Sequence, residues 1–167
     1  MDPKAKKTAL LMIPYGLYVL TAQNKEGRVA AATINWVTQA SLDPPLVAIG
    51  VKADSNAHAL IKETKHFALN VLGKANKDLA FLFFKPAVLE GQKISGQPFR
   101  PGSTGSPILT NTPAYVECTL EGTIEKGDHS VFVGRVVDAG LAAEIAGRPD
   151  DATLWLKDCG EKVFYGG

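Results

Sequence analysis

Thr33, Asn35, Thr38, Gln39 and Ser41 put five short hydrogen-bonding side chains within nine positions. Pro44 and Pro45 then lead into an uninterrupted apolar run, Leu46 to Val51. Short polar side chains let a bound molecule approach the backbone, so main-chain N–H and C=O groups can join the contact. Such a set suits the edge of a flat heterocycle. A solvent-exposed strand end would carry the same Thr, Ser and Asn for conformational reasons alone. The next segment, "VKADSNAHAL", favours a ligand. It sets Lys52, Ser55 and Asn56 at a helix start, with His58 half a turn further in. Unpaired N–H groups and the helix dipole make such a start a natural anion site, and Lys52 adds a positive charge. The two segments together describe a ring on the polar strand end and a phosphate at the helix start.

Other reactive residue types give less. Cys118, inside "YVECTL", reads as a small buried apolar residue. Cys159, in "KDCGEK", lies near a turn and is expected to expose its thiol, with no activating partner around it. Neither the two cysteines nor His58, His66 and His129 have the spacing of a zinc site or a disulfide framework. Phe81, Phe83 and Phe84 bunch on one short segment and are expected in the core. Lys62 and Lys65 read as solvated charge.

The elements that must position these residues follow from periodicity. "KKTALLMI" predicts a short helix ending before Pro14. Tyr15–Ala22 and Val29–Asn35 predict two strands joined by the turn "QNKEGR". Leu46–Val51 predicts a strand buried on both faces. "DSNAHALIKET" predicts a helix capped by Asp54 or Ser55, with Ala57, Leu60 and Ile61 on its inner side. His66–Leu72 is a further strand, and "NKDLAFLFF" a helix closed by Pro86. Residues 91–113, rich in Gly, Pro, Ser and Thr, read as one long loop of the kind that often serves as a lid or interface. A long hairpin turning at Lys126-Gly127-Asp128 follows, and "TLWLKDCGEKVFYGG" predicts one or two final strands. Many short strands with few helices favour a closed antiparallel barrel over a doubly wound sheet, and no glycine-rich dinucleotide turn follows the first strand.

A chain of 167 residues, 46% of them hydrophobic, can bury a core as a single domain, 1–167. Its formal charge of +1 argues against nucleic acid as the partner. No run approaches a membrane span and no signal peptide is evident, so a soluble, cytoplasmic protein is expected.

Several motifs resemble those of the flavin reductase-like, FMN-binding split-barrel family. They are "G-x-x-V-L-T" at Gly16–Thr21, "A-x-T-x-N-W" at Ala31–Trp36, "S-L-D-P-P-L-V" at Ser41–Val47, "HFALNVL" at His66–Leu72, and "GDH" at Gly127–His129 followed by Val131, Gly134 and Val136. The resemblance covers most of Leu10 to Gly140. It implies a mainly β fold, a six-stranded antiparallel Greek-key split barrel with a few short flanking helices. It further implies a homodimer binding FMN, less often FAD, near the subunit interface. The family's flavin-binding region falls on Thr33 to Ser41 for the ring and ribityl chain and on Lys52 to His58 for the phosphate. Trp36 would lie near the ring or at the dimer seam, and His129 near the nicotinamide or the flavin. The family's Gly-Gly-Arg-Tyr-like ending is replaced here by "LWLKDCGEKVFYGG".

The activity so implied is an NAD(P)H-dependent flavin reductase, passing electrons from the flavin to free flavin, a ferric complex or a partner oxygenase. An FMN-binding electron-transfer protein reduced by a protein partner shares the fold and cofactor and stands as the alternative. An oxidase of a vitamin B6 phosphate is a third reading, which the "S-L-D-P-P-L-V" block opposes.

Overall fold

Apolar residues of the first hairpin are buried on both of its faces, and the architecture follows from what covers each. The computed structural model describes residues 1–166. It begins with α1 (Pro3–Leu11), whose first N–H groups are capped by the Asp2 carboxylate. The strands β1 (Tyr18–Gln23), β2 (Val29–Ile34), β3 (Val37–Ser41) and β4 (Leu46–Lys52) precede α2 (Asn56–Thr64) and β5 (His66–Val71). After α3 (Lys77–Leu82) come four short strands, β6 (Leu89–Glu90), β7 (Lys93–Ile94), β8 (Gln97–Pro101) and β9 (Pro107–Leu109). The long hairpin β10 (Ala114–Glu125) and β11 (His129–Leu141) is followed by the single turn of α4 (Pro149–Ala152).

The main sheet is antiparallel, in the order β2-β1-β5-β10-β11-β4-β3. Its edges, β2 and β3, are separated in the chain only by Asn35 and Trp36. Ile34 and Val37 can therefore lie at most about 11 Å apart, whereas flat edges of such a sheet would be about 29 Å apart. The sheet has to curl until its edges meet at that corner, which gives the expected split barrel. It has one strand more than the six predicted. The addition is β3, whose exposed Thr38, Gln39 and Ala40 offer no apolar alternation to mark it as a strand.

Inside the barrel, Leu20 and Ala22 of β1, Ala30 of β2, Phe67 and Leu69 of β5 and Phe132 of β11 pack on Ala57, Leu60 and Ile61 of α2. Ser55 caps that helix, accepting the His58 N–H. The alternate residues Val19, Ala31 and Leu72 face outward. They are covered by Leu79, Ala80 and Phe83 of the α3 segment, by Ile94 and Leu109 of the short strands, and by Leu154 and Leu156 near the chain's end.

This second layer accounts for most departures from expectation. Residues 91–113 are not one loop, because Ile94, Ile108 and Leu109 are buried in a four-stranded sheet, β6-β7-β8-β9. Buried polar groups tie it down. Asn70 Nδ2 donates to the Val19 carbonyl (3.0 Å), Asn70 Oδ1 accepts the Leu109 N–H (2.8 Å), and Thr21 Oγ1 donates to the Pro107 carbonyl (2.6 Å). Between β8 and β9 the chain wraps Glu117. This fully buried carboxylate accepts from the N–H and hydroxyl of Ser103 (2.7 and 2.9 Å) and of Thr104 (3.1 and 2.6 Å). Gly102 is required there, since a Cβ would sit 2.2 Å from Glu117 Oε1.

Near the chain's end, residues 153–156 form bridges to Gly16 and Gly73 instead of a strand, because they fill the gap where β1 and β5 diverge. Cys159 ends the following 3-10 turn buried in the outer core, so its thiol is not exposed, and burial pushes its pKa up. Cys118 is buried as expected, its thiol pushed up to about 12 by desolvation with a contribution from Glu117. Only Phe83 of the three bunched phenylalanines is core; Phe81 and Phe84 are exposed and meet edge to face. In β4 only Ile49 and Val51 are buried, because the outer face of that strand is only partly covered, Trp36 lying over Gly50. No helix is long and apolar enough to cross a membrane among the described residues.

Two substitutions test this packing. In Glu117→Gln an amide NH₂ would face N–H or hydroxyl donors, and stability should fall by roughly 1–3 kcal/mol in urea denaturation. In Gly134→Ala the new Cβ would sit 2.6 Å from Phe67 Cζ and 2.8 Å from Cys118 Cβ. The expected loss is about 1–3 kcal/mol, and an unchanged midpoint would show that the barrel interior yields there.

Candidate functional site

The corner where the sheet edges meet opens into a cavity of about 580 Å³. Leu17, Ala32, Val51, Phe83 and Leu156 supply apolar wall, while Thr33, Asn35, Lys52, Ser55, His129, Lys162 and Tyr165 supply polar groups. The volume is that of an ordinary small-molecule site. A second, more open cavity of about 980 Å³ lies beside it, against α1, β3 and β4. Gly50, Lys52, His129 and Tyr165 line both.

Each polar group has a structural reason for its place. Thr33, at the end of β2, donates its hydroxyl to the Ala80 carbonyl (2.8 Å) and its N–H to the Phe83 carbonyl (3.1 Å). It therefore braces the α3 wall while lining the cavity. Asn35 is buried in the corner, where its Nδ2 donates to the Tyr165 carbonyl (3.3 Å). Trp36 follows, with its ring packed over Gly50, where a Cβ would come within 2.9 Å of Trp36 Cε3. The Trp36 Nε1–H is buried with no partner among the described residues.

At the start of α2, Ser55 Oγ donates to the Lys52 carbonyl (2.7 Å) and holds the turn into the helix. With the His58 N–H taken by Ser55, the N–H groups of Asn56 and Ala57 have no acceptor within the helix. Lys52 is exposed and pairs with Asp54 at 3.1 Å, so the positive charge expected there is partly balanced. Lys162 brings a second cation to the same cavity.

His129 opens β11 opposite Lys52. Its Nδ1 is 3.1 Å from Asp128 Oδ1 and its Nε2 is 2.8 Å from the Tyr165 hydroxyl. The ring centroid is 4.6 Å from that of Trp36. The hydrogen bond to His129 holds the Asp128 carboxyl below its ordinary range, and burial raises the Tyr165 hydroxyl.

Of the residues singled out from sequence, Thr33, Asn35, Lys52, Ser55 and His129 converge on the first cavity. Trp36 and Thr38 line the second. Gln39 and Ser41 line neither, because they lie further along the exposed edge strand, where Gln39 Nε2 donates to the Ser41 carbonyl. Asn56 is exposed at the first turn of α2, and its side chain lines neither cavity. His58 is turned toward the hairpin. It is buried 2.9 Å from Ser130 Oγ and packed on the Phe132 ring, with Glu125 3.7 Å away, so it does not reach the cavity. Phe84, Lys162, Val163, Phe164 and Tyr165 line the cavity and were not anticipated. The aromatic "KVFY" was the available signal. No cluster of metal-ligating side chains occurs among the described residues.

The arrangement can hold a flat, largely apolar ring with hydrogen-bonding edges at Asn35, and an anion between Ser55, Lys52 and Lys162. The chain is similar to several known proteins. The reductase subunit of a stachydrine N-demethylase from Rhizobium meliloti (strain 1021) is 35% identical over 135 residues, 81% of this chain and 57% of the relative. The chain thus spans little more than half the length of that relative. An NADH-dependent flavin reductase from Pseudomonas fluorescens is 30% identical over 149 residues, 89% of this chain and 85% of the relative. The solved flavin reductase of the styrene monooxygenase from Pseudomonas putida S12 superposes with a TM-score of 0.70 at 30% identity, covering 81% of this chain and 86% of that one. The model of the flavin reductase like domain matches residues 10–158, and the chain belongs to that family.

Proposed function

We propose that the chain is an NAD(P)H-dependent flavin reductase that takes FMN into the corner cavity and delivers reduced flavin to a partner oxygenase. The observation that carries this reading is the lining of the cavity, which combines apolar walls with the buried Asn35 at the β2 corner, Ser55 at the start of α2, and two lysines, Lys52 and Lys162. FMN matches that set of groups, having a ring with polar edges, a flexible chain and a terminal phosphate. When bound it would supply a two-electron acceptor at N5 of the ring.

This chain's own residues would do the rest. Asn35 and the adjoining backbone orient the ring. Leu17, Ala32, Val51 and Phe83 exclude water from one side of it. The open N–H groups of α2, with Lys52 and Lys162, hold the phosphate. His129, at the boundary of the two cavities, steers the nicotinamide from the open side, where placement matters more than acid–base chemistry.

A homodimer with the site near its interface fits the exposed Thr38, Gln39 and Ala40 of β3 and the exposed Leu10, Ile13 and Val131 around the second cavity. An oxygenase as acceptor is supported by two relatives, one named as a reductase subunit of a demethylase and the other as part of a monooxygenase.

With FMN bound and oxygen excluded, NADH or NADPH should bleach the visible flavin bands rapidly. Bands that persist with both donors yet bleach with dithionite would replace this reading by an electron carrier fed by a protein. The phosphate assignment has its own test. Lys52→Ala/Lys162→Ala should raise the Kd for FMN about tenfold, the equivalent of ~1.4 kcal/mol, and leave the Kd for riboflavin unchanged. Equal weakening of both would show that the lysines do not read the phosphate.

A further inference from the structure

We propose that Tyr165 is a positioning residue for His129, its hydroxyl fixing the imidazole between the Asp128 carboxylate and the boundary of the two cavities. The proposal rests on the reductase reading above and assigns a role within the same site.

The chemistry of the three groups fixes the arrangement. An ionised carboxylate only accepts, so the contact of 3.1 Å with Asp128 requires a proton on His129 Nδ1. In the neutral ring Nε2 then carries a lone pair, and the Tyr165 hydroxyl at 2.8 Å donates to it. When the ring is protonated, Nε2 becomes a donor and the same hydroxyl rotates to accept. Lys52, Asp54 and Asp128 are the charged groups around the tyrosine, and burial keeps its hydroxyl protonated. The imidazole is thus held in one orientation in both of its charge states. Asp128 alone would not achieve this, because its side chain is 92% exposed and sits in the hairpin turn.

Tyr165 is itself anchored at points independent of the histidine. Its carbonyl accepts from Asn35 Nδ2 at 3.3 Å, and its ring lies 5.4 Å from that of Trp36. The next residue, Gly166, lies against the same indole, where a Cβ would be 3.4 Å from Trp36 Cζ2 and Nε1. Asn35 and Trp36 thereby hold the tyrosine, and the tyrosine holds the histidine.

Tyr165→Phe removes one oxygen and keeps the ring on Trp36. Long-range ¹H–¹⁵N spectra of flavin-free protein at pH 8.5, with His129 assigned from a His129→Gln variant, should show a single Nδ1–H tautomer in the wild type. In Tyr165→Phe the His129 signals should average over both tautomers. In the FMN-loaded enzyme the variant should lose about tenfold in kcat/KM for NADH while its Kd for FMN stays the same. A His129 spectrum identical in the two proteins would overturn the proposal, as would a changed spectrum with unchanged kcat/KM. A wild type that does not oxidise NADH or NADPH would remove the reductase reading instead, and the spectra alone would then decide the contact.

Discussion

Asn35 and Trp36 join the two edges of a seven-stranded sheet, and most of the molecule is arranged around that short connection. Two residues cannot cross a flat sheet, so the sheet closes on itself. They also cannot complete a ladder between β2 and β3, so the corner's carbonyls bond elsewhere. The Gly50 N–H reaches across to the Trp36 carbonyl at 2.8 Å, and the Val37 N–H turns back to Asn35 at 3.1 Å. An unpaired sheet edge is ordinarily a hazard, drawing in any extended chain. Here the gap is shaped by a tryptophan, a buried asparagine and the glycine that lets the indole approach. The same geometry sets the buried Asn35 side chain in the cavity wall, where a polar-edged ring can meet it.

The corner would be soft without the outer layer. β1, β2 and β5 are buried on both faces, the inner one against α2 and the outer one against α3, the short strands and the chain's end. Thr33 links these two roles, because one side chain lines the cavity and holds the α3 wall in place. Asn70, Thr21 and Glu117 tie the layers together away from the cavity, satisfying buried polar groups between them. Hydrogen bonds of this kind add modest net stability, yet each is costly to leave unmade. They therefore fix where the outer layer sits more than how strongly it holds.

That division explains what could be read from the sequence. The first hairpin, the helix capped by Ser55, the strand at His66 and the long hairpin all carry local signals of periodicity, capping or turn chemistry. The polar segment and the helix start could be paired as ring and phosphate sites because each residue type has a local chemical meaning. What was not legible depends on partners distant in sequence. The strands of residues 89–109 look like loop until Asn70 and Glu117 bind them. β3 has no apolar face, and His58 is drawn away from the helix start by Ser130 on the hairpin. Tyr165 is 130 residues from Asn35, and nothing near it in the chain indicates that it would meet His129.

The walls of the cavity differ in what holds them. Thr33 is anchored in a ladder, Ser55 by its helix, and Phe83 by the outer core. The terminal segment has Val163 against that core, but beyond it the contacts are with the site itself, through Asn35, Trp36 and His129. Phe164, between these anchors, is 66% exposed. A segment whose order depends on site residues is thermodynamically coupled to whatever the site binds. A ligand that adds contacts to Lys162 or Tyr165 would stabilise the segment, and any change that stabilises the segment in that arrangement would tighten the ligand by the same factor. The barrel supplies walls held by its own core, and residues 162–166 supply a wall held largely by the site's own residues.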